Sequence, residues 1–478
     1  MSNIGSRGIC KHCSDTRNGG ISSRSSKRRL PPASLPERTL TIILRAQNDR
    51  YRFWCQKRRR SNSRNLLQAP AQSSTIKGSE KLYAGEKETM KKYACLTVLL
   101  AIVSVQCARA VDVSTGLTLQ HGHWVRTAVF SPDGKKVATA SIDGTACIWD
   151  AETGQKLHIL EGHEINVYSA VFSPDGEKIV TAGNGTVRIW DVATGKELHV
   201  LDKREDWIKA EITAAFTPDG KKIVAQSYKI VQMWDSDSGK ELVGLEKPAH
   251  RSAQHTLFVV FSPDSKKIIT TSDDSIWSSD ANGKLQEKKE HSVHIFDADS
   301  GKRIQTLKGH TDWVRIAAFT SDGKKFVTAS DDGTARIWDT DSGDNLQTLK
   351  GLTGWVLCAT LLPDNEKVFT AGDDGIIRIW DVESGEQLQS LNLRRPMWIG
   401  LFPEKSTLEG VALSPNGKII AVAQSNRTVE IVDIESERVV QTFTGHTHHG
   451  FWSIAFSPDG KKVVTASADK TARIWTLE

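Results

Sequence analysis

Cysteine is scarce in this chain: 7 in 478 residues, and only Cys147 and Cys358 lie beyond residue 110. That excludes a disulfide framework, and both read as buried thiols on strands. Cys10 and Cys13 form one Cys-x-x-Cys with no second pair, too little for a zinc site. The one sustained apolar run, Tyr93 to Val105, is too short to span a bilayer. No nucleotide-binding glycine loop, kinase signature, zinc-protease motif or Gly-x-Ser-x-Gly turn occurs, so the sequence displays no familiar catalytic motif.

Positive charge is also less general than the formal +6 suggests. Residues 1–89 hold 19 Lys and Arg against 6 Asp and Glu, with runs at Lys27-Arg28-Arg29 and Lys57 to Arg60. This stretch is Ser-rich and aperiodic. It reads as a disordered basic extension, with a nucleic-acid or nuclear-import arm as the sharper alternative. The next segment favours the first. Met90-Lys91-Lys92, the apolar run and Ala108-Arg109-Ala110 have the layout of a secretory signal peptide cleaved after Ala110. A lipoprotein anchor at Cys107 fits less well. A signal belongs at a beginning, so Met90 is the expected natural start and 1–89 is expected to lie outside the natural protein. Residues 111–478 then carry about −10, which argues against nucleic-acid binding. Export, periplasmic or secreted, is expected; a cytoplasmic protein is the alternative if residues 1–89 are real.

What is present from about residue 117 onward is a repeat. An Ile-Trp-Asp-like ruler falls at Trp149, Trp190, Trp234, Phe296, Trp338, Trp380, Val432 and Trp475, at steps of 41, 44, 62, 42, 42, 52 and 43 residues. One copy reads Val314–Phe319, then Lys325–Ser330, then Thr334–Trp338. These short β-branched and aromatic runs are bounded by turn residues, so they read as antiparallel strands. Ser-Pro-Asp-Gly at 131–134, 173–176 and 457–460, and Asp-Gly at 143–144, 332–333 and 374–375, are the turns between them. A unit of this length cannot bury its own faces and must stack on its neighbours.

Gly-His, a hairpin Asp and Trp-Asp at fixed spacing, repeated, resemble the WD-repeat β-propeller family. The Lys-rich Asp-Gly-Lys-Lys style resembles its bacterial members. The resemblance implies an all-β fold: a single propeller of four-stranded antiparallel blades over residues 111–478. Eight copies give eight blades, with seven as the alternative. The strand near Leu117–Gln120 is expected to complete the last blade, so that no long edge stays open.

The copies are unequal. Copy two has Asn184 where Asp is expected, and copy three has Lys203 to Asp206 in place of Gly-His. Copy four carries an insertion, Ile276 to His291, between its second and third strands. Copy six has Leu352 for His, and copy seven has Val422, Asn426 and Val432, with a longer entry loop around Arg394–Lys405. The resemblance implies a hydrogen-bonded chain of His, Thr, Asp and Trp in the complete blades. These are His121, Thr139, Asp143 and Trp149; His310, Thr328, Asp332 and Trp338; and His446, Thr465, Asp469 and Trp475. Each set reads as scaffold rather than catalysis, because it recurs and its hydroxyl is engaged by an indole.

Function must then come from other exposed residues. Trp124, Trp313, Trp355 and Trp452 follow the Gly-His loop or its equivalent. Arg126 and Arg315 sit two residues after Trp124 and Trp313, and Tyr168 is the comparable position in copy two. Aromatic and Arg side chains anchor interfaces. The expectation is a non-catalytic scaffold that binds a protein or peptide on its top face, a monomeric propeller within a complex, without cofactor, metal or nucleic acid. Two readings stay open beside it. These Trp could simply pack between blades, or the channel could hold the site of a hydrolase, a quinoprotein or a glycan or small-ligand binder.

Overall fold

The computed structural model describes residues 116–202, 211–226, 231–245, 259–279, 285–352, 356–372, 374–393, 396–399, 402–405 and 408–478. The extension and signal expected over 1–110 lie outside them, as do Lys203 to Asp206, Trp207 and Trp355. The architecture is all-β, eight antiparallel four-stranded blades arranged as a propeller.

Blade one sets the pattern: Val125–Phe130, Lys136–Ser141, Ala146–Asp150 and Lys156–Leu160, from innermost strand to rim. The two middle strands are buried almost throughout, while the rim strand is mostly exposed. The first turn shows why Ser-Pro-Asp-Gly recurs. Ser131 Oγ donates to Asp133 Oδ1 at 2.6 Å and accepts from the Lys136 backbone N–H at 2.9 Å, and Gly134 takes φ +72°. That left-handed backbone favours Gly. Blade four pays for departing from it with Ser265 at φ +63°.

Blade three has strands Thr213–Phe216, Lys222–Gln226 and Val231–Asp235. Its rim is a bridge at Glu241 plus bonds from the Leu242 and Leu245 N–H groups. Blade four departs differently. The expected insertion lengthens two existing strands, Lys267–Ser279 and Leu285–Asp297, paired without a break from Lys267↔Asp297 to Ser279↔Leu285. A second added hairpin, Pro396–Ile399 with Phe402–Lys405, precedes blade seven.

The core lies between blades. One cluster joins Val129, Ala138 and Ile148 of blade one to Ala170, Phe172, Ile179 and Trp190 of blade two. The ring closes in the same way. Leu117–Gln120 pairs with Thr471–Thr476 as the rim strand of blade eight, and Leu119 packs with Val125, Ala472 and Ile474. At the end of the ring that carries the first turns, five lysines clasp the following blade. They are Lys178 to Asp237, Lys222 to Asp299, Lys267 to Asp341, Lys325 to Glu383 and, across the closure, Lys462 to Glu152. The acids are largely exposed, so each pair contributes little alone. Both cysteines are free and buried, and burial pushes the Cys147 and Cys358 thiols up to about 11 and about 12.

Candidate functional site

In an antiparallel blade the second hairpin and the connection to the next blade lie at the same end. The repeated His, the hairpin Asp and the Trp that follows the Gly-His loop therefore gather on one face. In blade one, His121 Nε2 lies 2.7 Å from Thr139 Oγ1, and the Trp149 indole donates to that hydroxyl at 2.7 Å. Asp143 lies 3.3 Å from His121 Nδ1 and accepts from the Gly122 N–H at 2.8 Å. Since Asp only accepts, Nδ1 carries the proton, Nε2 accepts from Thr139, and Thr139 accepts from the indole. Every member is satisfied.

Blades five and eight repeat this. His310 contacts Asp332 and Thr328 at 2.8 Å each, and Trp338 donates to Thr328 at 2.8 Å. His446 contacts Asp469 and Thr465 at 2.8 Å each, and Trp475 donates to Thr465 at 2.9 Å. Burial would raise the Asp143, Asp332 and Asp469 carboxyls, but bonds from His, Thr and backbone N–H groups outweigh it and hold all three well below the usual range. Thr139, Thr328 and Thr465 are 0% exposed, so these hydroxyls are closed to a substrate.

Blade two rebuilds the chain without Asp. Thr186 Oγ1 lies 2.7 Å from His163 Nδ1, while His163 Nε2 and the Trp190 indole both meet Thr181 at 2.7 Å. The shortened hairpin, Asn184-Gly185, drops the Asp position, while Thr186 keeps its register opposite Gly183 and closes on His163 from the place where Thr334 and Thr471 lie 3.4 Å and 3.3 Å from His310 and His446. Blade six fills the His position with buried Leu352 and keeps the Trp380 to Thr370 bond at 2.9 Å. Blade seven substitutes a buried Gln424 to Glu430 bond at 2.8 Å.

Burial, with Arg188 nearby, drops the His163 pKa to about 3. The folded value lies below the unfolded one. Its stabilisation is therefore complete above about pH 6.5 and is lost as pH falls towards 3. Between pH 8 and pH 5 the loss should be about 2 kcal/mol for this residue. His163→Gln should flatten the pH dependence of urea unfolding by that amount. An unchanged slope would contradict the assignment.

Around the innermost strands the same face carries a second layer. In six blades the first strand has a bulge at one position, where its register skips a residue: Arg126, Tyr168, Arg315, Leu357, Glu409 and Trp452. A bulge takes its residue out of the in–out alternation and re-aims it. Four of the expected docking residues meet here. The Arg126 guanidinium lies 4.1 Å over the Trp452 ring and 5.6 Å from the Tyr168 ring centre. Trp124 lies 6.1 Å from Trp452 at an interplanar angle of 30°. Blades eight, one and two thus share one aromatic and cationic cluster. Glu211, ahead of blade three, contacts Arg126 Nη2 at 3.4 Å. Glu211 is a participant that sequence reading missed, since blade three lacks the Gly-His landmark. Asn166 donates to the Tyr168 hydroxyl at 3.1 Å.

The other expected residues separate from this cluster. Arg315 on blade five binds Asp331 through Nε at 2.8 Å and Nη2 at 2.6 Å, 4.8 Å from the Trp313 ring centre. Trp452 is 7% exposed, so it packs between blades, whereas Trp124 and Tyr168 are half-buried. Among the described residues, no group of three or more His, Cys, Asp or Glu side chains is placed to hold a metal, and no helix is long and apolar enough to cross a membrane.

Five segments match the WD domain, G-beta repeat: residues 115–150, 154–191, 301–339, 343–381 and 437–476. A 46-residue stretch is 44% identical to the WD repeat-containing protein VIP3 of Arabidopsis thaliana, covering 10% of this chain and 14% of that one. Another 46 residues are 46% identical to the general transcriptional corepressor TUP1 of Saccharomyces cerevisiae, 10% of this chain and 6% of that one. The WD repeat-containing protein 1 of Bos taurus is 44% identical over 52 residues, 10% and 9% of the two chains. The chain therefore spans a small fraction of the length of the curated relatives it matches. Among solved structures, the computationally designed Ika8 protein superposes with a TM-score of 0.59 at 22% identity, covering 76% of this chain and 100% of that one, a likeness of fold alone. The matched segments begin one strand ahead of their blades, as the closure by Leu117–Gln120 requires, and they leave out blades three, four and seven. The chain is an eight-bladed propeller carrying five WD domain, G-beta repeats.

Proposed function

We propose that this protein is a non-catalytic interaction scaffold that docks a protein or peptide on the face bearing Trp124, Arg126, Tyr168 and Trp452. The observation that carries this reading is the Arg126 guanidinium held against Trp452 and Tyr168, with half-buried Trp124 beside them. Side chains of these types, drawn from three blades and partly desolvated, have the make-up of an interface hot spot. Trp313 and Arg315 form a smaller second contact on blade five. One relative is named a corepressor, a role of the kind an interaction platform serves. Export after cleavage near Ala110, as a monomeric propeller within a complex, belongs to the same proposal.

In the test, the full chain and a Trp124→Ala/Tyr168→Ala variant are used as bait in the cells that make the protein. The variant should lose the partner that the wild type captures while melting within a few degrees of it. Equal recovery of the same partner by both baits would sink the proposal.

A further inference from the structure

In blades one, two, five and eight, the residue just ahead of the innermost strand is held on both sides. It is Trp124, Asn166, Trp313 or Gly450. Its C=O accepts from the second hairpin of its own blade, through the N–H of Ile142, Asn184, Asp331 or Ala468. Its N–H donates to a side chain. The acceptors are His123 Nδ1 at 2.8 Å, Asn184 Oδ1 at 3.4 Å, Asp312 Oδ1 at 2.8 Å and Glu409 Oε2 at 2.9 Å. An amide or carboxylate oxygen remains an acceptor in mild acid. An imidazole does not, because both of its nitrogens become donors once it is protonated. The two docking tryptophans Trp124 and Trp313 therefore occupy the same place under caps of different chemistry.

On the reading that this face docks a partner, we propose that His123 is the positioning residue of Trp124 and that a proton on its Nδ1 breaks the cap, so that docking weakens as pH falls. Above the usual titration range of a histidine, Nε2 carries the one ring proton and Nδ1 accepts. Below it, the Trp124 N–H faces a second donor and that side of its hold is lost. His123 is exposed, so the proton arrives from solvent. Its ring lies 5.3 Å from the Trp124 ring, and turning it disturbs the side chain that meets Trp452. The charged and titratable groups on the elements around it are His121 and Asp143, Arg126 on the following strand, Glu164 on the connection packed against Gly144, and Lys470 on the hairpin of blade eight. Asp143 spends its oxygens on His121, Gly122 and Thr145, so it offers no substitute acceptor.

The test labels the tryptophans of the full chain with ¹⁵N. The backbone resonance missing from Trp124→Phe reports this cap, and the one missing from Trp313→Phe reports its counterpart on blade five. Between about pH 7.5 and about pH 5.5 the Trp124 amide should titrate while the Trp313 amide stays still. His123→Asp copies blade five and should hold the Trp124 amide still as well. The wild type and His123→Asp then serve as bait at both pH values. Wild type should recover its partner at least about threefold less at the lower pH, and the ratio for His123→Asp should be near one. A Trp124 amide that does not move would overturn the inference. So would an amide shift or a loss of capture that is equal in His123→Asp, which would assign the titration to another group such as His448 or His449. The docking reading is judged separately. If Trp124→Ala/Tyr168→Ala loses the partner while wild-type capture ignores pH, docking stands and the switch falls. If that double variant captures as wild type does, docking falls and takes the switch with it.

Discussion

Trp475→Ala should destabilise the propeller by about 3–5 kcal/mol, the loss typical of a large aromatic deleted from a close-packed core. Trp475 is 0% exposed, stacks on Phe443 of blade seven with ring centres 5.2 Å apart, and lies 5.8 Å from the His446 ring. Its removal opens a cavity between two blades and leaves the Thr465 hydroxyl without its indole donor. Trp475→Phe separates the two effects. The ring volume is largely kept and only the 2.9 Å bond to Thr465 is lost, so about 1 kcal/mol is expected. Urea unfolding of the three proteins measures both. An Ala variant within about 1 kcal/mol of wild type would mean that the seam between blades seven and eight is not close-packed.

Leu119→Asp should be at least as damaging. Leu119 is 0% exposed and pairs with Ala472 in the strand that, among the described residues, alone joins the start of the propeller to its last blade. A carboxylate there has no partner, and an unpaired buried charge destabilises by about 3–5 kcal/mol. Detachment of the strand would also bare the edge of Thr471–Thr476, a template for aggregation. Thr118→Asp, on the exposed neighbour, is the control and should stay within about 0.5 kcal/mol of wild type. Equal melting of the two Asp variants would show that the closing strand contributes little.

Most of the fold was legible because the repeat is written in turn chemistry. Ser-Pro-Asp-Gly fixes the first turn and Asp-Gly the second, and each is local enough to read residue by residue. The number of blades followed from counting rulers even where Phe296 or Val432 replaces Trp. The three hydrogen-bonded chains of blades one, five and eight lie at the spacing the repeat dictates, because one strand pairing sets the distance from Thr to Trp. Three features were not legible. Thr186 takes the place of Asp beside His163 once the hairpin loses a residue, a swap that the repeat's own landmarks do not announce. The inserted segment of blade four reads in sequence as an addition between the second and third strands with no secondary structure of its own, and it continues both of them as one ladder from Lys267↔Asp297 to Ser279↔Leu285. The meeting of Arg126 with Trp452 joins residues more than three hundred positions apart, which only ring closure brings together. Arg126 and Arg315 look equivalent in sequence, but Asp331 sits beside one and aromatic rings beside the other.

The recurring bulge on the innermost strands separates two kinds of information in this chain. Ladder positions beside it, such as Val125 and Val314, must stay apolar because neighbouring blades press on them. The bulge residue itself is skipped by the pairing across the sheet, and it is Arg, Tyr, Arg, Leu, Glu and Trp in blades one, two, five, six, seven and eight. Residue type at the bulge can therefore change from blade to blade while the strands beneath keep their sequence rules, and the residue chosen there reaches the next blade, as Trp452 does towards Arg126 and Glu409 towards the Gly450 and Phe451 N–H groups. For protein engineering, this makes the bulge the position on each of these blades where strand pairing does not dictate the residue.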